Sequence, residues 1–211
     1  MLHILPPSEK RKQFEFYALG LRDFAGVQGE QPLDPFELAE YAHLLVVDFD
    51  QIEGLSPESR AHLLGEAADQ WSGGACSRPL PNGWKLVILN PAHGHQRNRA
   101  TLMEEVAHVF LGHKPNRLAI VSSEPDDKST RRKKQMLARD YNHDDEEAAY
   151  AVGAAALIPY AALRRFVRSG RTADQIARHF RVSRPLVEYR LKVTHLWPEY
   201  KRASMSRREH V

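Results

Sequence analysis

The stretch Arg97–His113, R-N-R-A-T-L-M-E-E-V-A-H-V-F-L-G-H, constrains the fold most, because it sets acids and imidazoles into an otherwise apolar helical pattern. Leu102, Met103, Val106, Val109 and Phe110 recur at helical spacing, so the segment is expected to bury at least one side. Glu104 and His108 are four residues apart and therefore share a face. Acids on a buried helix need compensation, by hydrogen bonds or by a cation.

Two readings of the acids compete. Thr101 followed three residues later by Glu104 has the form of a capping box, which would place the acids in a first helical turn where the helix dipole favours them and leave Glu105 solvated. Alternatively, Glu104, Glu105 and His108 occupy the three polar positions of H-E-x-x-H, in which two ligands one turn apart hold a metal and the intervening Glu handles protons. Glu104 then stands where the first histidine would be, and its carboxylate can reach a metal much as an imidazole can.

The 211 residues suffice for a sizeable core. The single cysteine, Cys76, excludes an internal disulfide framework and a multi-thiolate zinc site. With no signal-peptide pattern and no long apolar run, a soluble cytoplasmic protein without membrane partners is expected. A net charge of +3 does not announce a nucleic-acid binder, although basic residues cluster at Arg131–Lys134 and at Arg207 and Arg208. Of 11 histidines, His93, His95, His108, His113 and His143 gather near the middle third, which favours a central site.

Along the chain, Phe14–Leu21 reads as helix, Asp34 caps a helix over Pro35–His43, and Leu44–Val47 is a short strand. Ser56–Pro57–Glu58 opens another helix or helical turn running to about Trp71, ended by Ser72, Gly73 and Gly74. Trp84–Leu89 is a buried strand leading into the central helix, and Leu118–Val121 a further one. Residues 122–136 are charged and aperiodic, the signature of a loop. Asn142 or Asp144 caps an alanine-rich helix that stops at Pro159, and 161–168 is helical. Thr172 with Gln175 makes a capping box, Ser183 caps a second helix, and Ile176, Ala177, Phe180, Val182, Val187 and Leu191 have helix-turn-helix spacing. The expected class is α+β: a mainly helical core with a small β-sheet over 1–160, a helix-turn-helix-like segment over 161–198 and a basic tail over 199–211.

A metal held only by Glu104 and His108 would be weak, so a third ligand is required; Glu147, in the first turn of the 142–159 helix, is expected to supply it, with Glu146 pointing about 100° away. The two segments R-A-T-L-M-E-E-V-A-H and D-E-E-A-A-Y-A-V-G-A-A-A-L-I-P resemble the signatures of the ImmA/IrrE family of metallopeptidases, R-F-T-L-A-H-E-L-G-H and E-x-E-A-x-x-F-A-x-x-L-L-M-P. The resemblance spans about half the chain, from Lys85 to Pro159. It implies a metallopeptidase-like core with one divalent metal, zinc or manganese, held by Glu104, His108 and Glu147, and with Glu105 as general base. It also implies a metal-dependent endopeptidase of a helix-turn-helix transcriptional repressor, acting in a stress response or on a mobile element. The alternative is a non-catalytic regulator that binds a repressor or DNA through its C-terminal helices, with Glu104 in the first ligand position as its support.

Overall fold

The N-terminal amphipathic segment forms α1 (Glu9–Phe24), turning Phe14, Ala18 and Leu21 inward, in a computed structural model that describes residues 4–76, 78–113 and 142–208. Asp34 caps α2 (Pro35–Tyr41), its carboxylate accepting from the Phe36 amide at 3.0 Å. The chain then enters β1 (Leu44–Val47) and α3 (Pro57–Leu64), the latter capped by Ser56. A single 3-10 turn over Ala68–Gln70 separates α3 from β2 (Gly73–Ala75). β3 (Lys85–Leu89) lies centrally, parallel to β1 and antiparallel to β2.

The glycines expected to break the chain at 73 and 74 instead form that edge strand. A Cβ on Gly73 would lie 2.8 Å from the Ile88 carbonyl and 2.9 Å from Thr101 Cγ2, so the absent side chain lets β2 seat between β3 and the central helix. The central helix itself, α4 (His95–Phe110), starts earlier than the Thr101 capping box requires. Thr101 sits in mid-helix and donates its hydroxyl to the Arg97 carbonyl at 3.2 Å. Glu104 is therefore not a first-turn acid, and capping does not explain it.

The C-terminal half continues through α5 (His143–Leu157), α6 (Tyr160–Arg168), α7 (Ala173–Phe180), α8 (Arg184–Val193) and α9 (Trp197–Arg208). Asn142 caps α5, Thr172 and Gln175 form the expected capping box on α7, and Ser183 caps α8 across the short connection 181–183. Residues expected as a basic tail are helical from Trp197 to Arg208 because α9 packs on α6 and α8. The expected strand at 118–121, the loop at 122–136 and the basic run at 131–134 lie outside the described residues. Helices with one small sheet make this an α+β fold, as the sequence predicts.

One apolar cluster joins Leu21 of α1, Leu44 and Val87 of the sheet, Leu102 and Val106 of α4, Val152 of α5, and Phe180 and Leu191 of α7 and α8. Around it, α5 is the axis: its buried residues are almost all alanine, which lets α4 and α1 approach on two sides. Among the described residues no helix is long and apolar enough to cross a membrane.

Candidate metal centre

Gly153 of α5 packs against the α4 backbone, where a Cβ would stand 3.2 Å from the Met103 carbonyl oxygen and 3.3 Å from the Glu104 nitrogen. The helices run close there, and one heptad back along α5 the same face presents Glu146. Ligand atoms of Glu104, His108 and Glu146 accordingly lie within 4.8 Å of one another, with His108 Nε2 3.9 Å from Glu146 Oε2.

The structure brings together Glu104 and His108, as expected from their spacing, but with Glu146 rather than Glu147. Glu147 turns toward α1, where Lys10 Nζ holds it at 2.8 Å and Arg11 at 3.3 Å. Lys10, by hydrogen bond and charge together, lowers its pKa. It also neighbours His143 and Asp144 on an exposed surface. The physical reason is the offset of about 100° between consecutive helical residues, which sends one carboxylate to α4 and the next to α1. The signal was present: Tyr150–Ala151 stands for the F-A of the resembled signature, and four residues before its aromatic comes Glu146.

Burial, then the charges of Glu105 and Glu146, push the Glu104 carboxyl up to about 8. Among the described residues no lysine or arginine pairs with it. Glu105, half-buried beside it, is placed to exchange a proton at the centre without being one of the three converging groups. Burial lowers the pKa of His108 in spite of Glu146, which favours the neutral imidazole that metals bind.

His113 was the residue that spacing along a helix placed elsewhere. Gly112, at φ +69°, ends α4 in a Schellman motif: the His113 amide bonds the His108 carbonyl at 2.9 Å and the Gly112 amide bonds Val109 at 3.1 Å. That return sets His113 Nδ1 3.0 Å from His108 Nδ1, and His113 Nε2 lies 3.6 Å from Asp145 Oδ1. His108 is thus held by its Nδ1 while Nε2 faces Glu146, an arrangement typical of metal-ligating histidines. His-x-x-x-Gly-His at a helix end is the local signal. Tyr150, expected in the core, is 36% exposed, rests edge-on against Tyr189 and feels the charge of Glu104. His93 and His95 lie at the other end of α4.

Two carboxylates and a neutral imidazole form a donor set suited to a divalent cation. At bond lengths of about 2.0–2.2 Å the donors would need to draw in by roughly an ångström, a side-chain adjustment. The cation would also relieve the crowding of three acids around Glu104. The residues present fit the metal.

No curated protein and no solved structure matches the chain. The model of the IrrE N-terminal-like domain, peptidase family M78, matches residues 72–192, more than half of the sequence, from β2 through α8. Since that span contains both helices of the centre, the chain belongs to the IrrE N-terminal-like family of metallopeptidases.

Proposed function

We propose that the chain is a metal-dependent endopeptidase whose substrate is a helix-turn-helix transcriptional repressor, cleaved to release stress-response or mobile-element genes. The observation that carries the peptidase reading is the convergence of Glu104, His108 and Glu146 beside Glu105. The repressor rests on the family resemblance. Zinc or manganese, when bound, would polarise the scissile carbonyl and make water acidic enough to be activated near neutral pH. Glu105 accepts the proton from the attacking water and returns it to the leaving amine. His113 fixes the ring of His108, and Asp145 stands behind His113.

A second reading, a non-catalytic regulator, is favoured by Glu104 itself, because a second carboxylate donates more charge and leaves activated water less acidic than a second imidazole would. DNA reading by α8 gains little support, since Arg184 is tied to Asp174 and Glu188 at 3.2 and 2.8 Å.

Elemental analysis of protein purified without chelator tests the centre: wild type and Glu147→Ala are expected to carry one metal per chain and Glu146→Ala none. Cleavage of a cognate repressor then tests the activity, with Glu105→Gln keeping the metal and losing roughly 100- to 10,000-fold in rate. Metal-loaded wild type that leaves the repressor intact, together with an equally inert Glu104→His, assigns the chain to the regulator reading.

A further inference from the structure

At the end of α4 opposite the acids, the structure forms a cleft of about 630 Å³ between the first turn of α4, the cap of α2 and the α7–α8 connection. Four arginines line it, Arg99, Arg178, Arg181 and Arg184, against two acids, Asp34 and Asp174. Asp34 pairs with Arg99 at 3.2 Å and Asp174 with Arg184 at 3.2 Å. Among the described residues neither Arg178 nor Arg181 has a carboxylate partner, so the cleft keeps two positive charges.

Three further features mark this surplus as directed at an anion. Arg99 is 2% exposed, and its Nε is buried without an acceptor. Burial lowers the pKa of Arg99, Asp34 raises it, and Arg181 lowers it again, so two guanidiniums repel each other across the cleft. The 16-residue helix α4 begins here with Gly94 as a cap that offers no side chain and no acid in its first turn. The first intrahelical bonds are donated by Arg97 and Asn98 to the Gly94 carbonyl, leaving the His95 and Gln96 amides ahead of the ladder and facing an anion site. Finally, Arg181 caps α7 in the left-handed conformation, at φ 56°. Glycine or asparagine takes that conformation with least strain, so an arginine there is retained at a conformational cost.

We propose that this cleft binds a small phosphate-bearing molecule, its phosphates held by Arg99, Arg178 and Arg181 and by the amides at the start of α4. The volume is that of a ligand pocket for a nucleotide-sized molecule. A duplex backbone fits less well, because a guanidinium as enclosed as that of Arg99 is reached from inside a concavity and not from a convex cylinder. The site is independent of the metal centre, and either can fail without the other.

The test is calorimetric titration of the full chain, stripped of metal by chelator and dialysed, with inorganic phosphate, with ADP and with a mixed-sequence DNA duplex. Phosphate and ADP are expected to saturate, ADP the more tightly, and each to weaken about tenfold or more in Arg181→Asn and in Arg178→Gln, as a charge-assisted contact is lost. Arg181→Asn keeps the left-handed turn, so its melting temperature should not fall, and a lost fold is separated from a lost ligand. Absence of saturable binding by either anion overturns the inference, as does binding unchanged in both variants. Duplex binding that depends on Arg181 and is not displaced by ADP would show a nucleic-acid surface in its place.

Discussion

A carboxyl pushed up to about 8 by burial and by two neighbouring acids, as Glu104 is, works against the folded state once it ionises. The folded protein keeps a proton that the unfolded chain has lost, so the destabilisation grows as pH rises from the unfolded value of about 4.5 to about 8 and is constant above. Metal-free Glu104→Gln should therefore melt above metal-free wild type, by a margin that widens up to about pH 8, at about 2–4 °C per kcal/mol relieved. A lower melting temperature at that pH would remove the electrostatic argument. His113 makes a complementary prediction: His113→Ala, by freeing the His108 ring, should weaken metal affinity about 10- to 100-fold with circular dichroism unchanged. Glu104→Gln thus gains stability by losing the site, whereas His113→Ala loses affinity without losing the ligands.

Two antiparallel helices hold the centre, and their separation is fixed at Gly153, where the backbones meet. Alanine there would gain up to about 1 kcal/mol in helix propensity and give it back against the Met103 carbonyl. Gly153→Val adds two methyl groups with no space to enter, and should cost about 1–3 kcal/mol in urea unfolding. It should also lower metal affinity more than a stability loss alone does, because it moves Glu146 away from His108 as α5 is pushed off α4. Affinity unchanged in a destabilised Gly153→Val protein would show that the centre tolerates a wider helix pair.

At the scale of the whole molecule, the N-terminal helix and the C-terminal helices are locked by one buried constellation. Glu15 of α1 accepts from the Tyr160 amide at the start of α6 and pairs with Arg190 of α8 at 2.6 Å, while Arg190 Nε donates to the Ile158 carbonyl at 3.1 Å. Glu15 and Arg190 are 1% and 3% exposed, so removing one partner strands the other's charge. Glu15→Ala should cost about 3–5 kcal/mol, read as a lower urea midpoint in a single transition monitored by both tryptophan fluorescence and circular dichroism. Two separate transitions in wild type would mean that the segment after Pro159 folds by itself.

What the sequence determined alone is what short-range geometry dictates. Asp34, Ser56, Asn142, Thr172 and Ser183 cap the helices they precede, since a cap needs only its own next three residues. Glu104 and His108 share a face because a helical turn is 3.6 residues, whatever surrounds it. The tertiary structure decided the rest, for the opposite reason. Gly73 and Gly74 read as a break until Ile88 and Thr101 supply the neighbours that only a glycine admits. Glu146 and Glu147 are equivalent as letters in a first turn, and their fates differ because α4 packs on one side of α5 and Lys10 and Arg11 of α1 on the other. The arginine cleft draws Arg99 from one helix and Arg178 and Arg181 from another about eighty positions away, so no local pattern could have announced it.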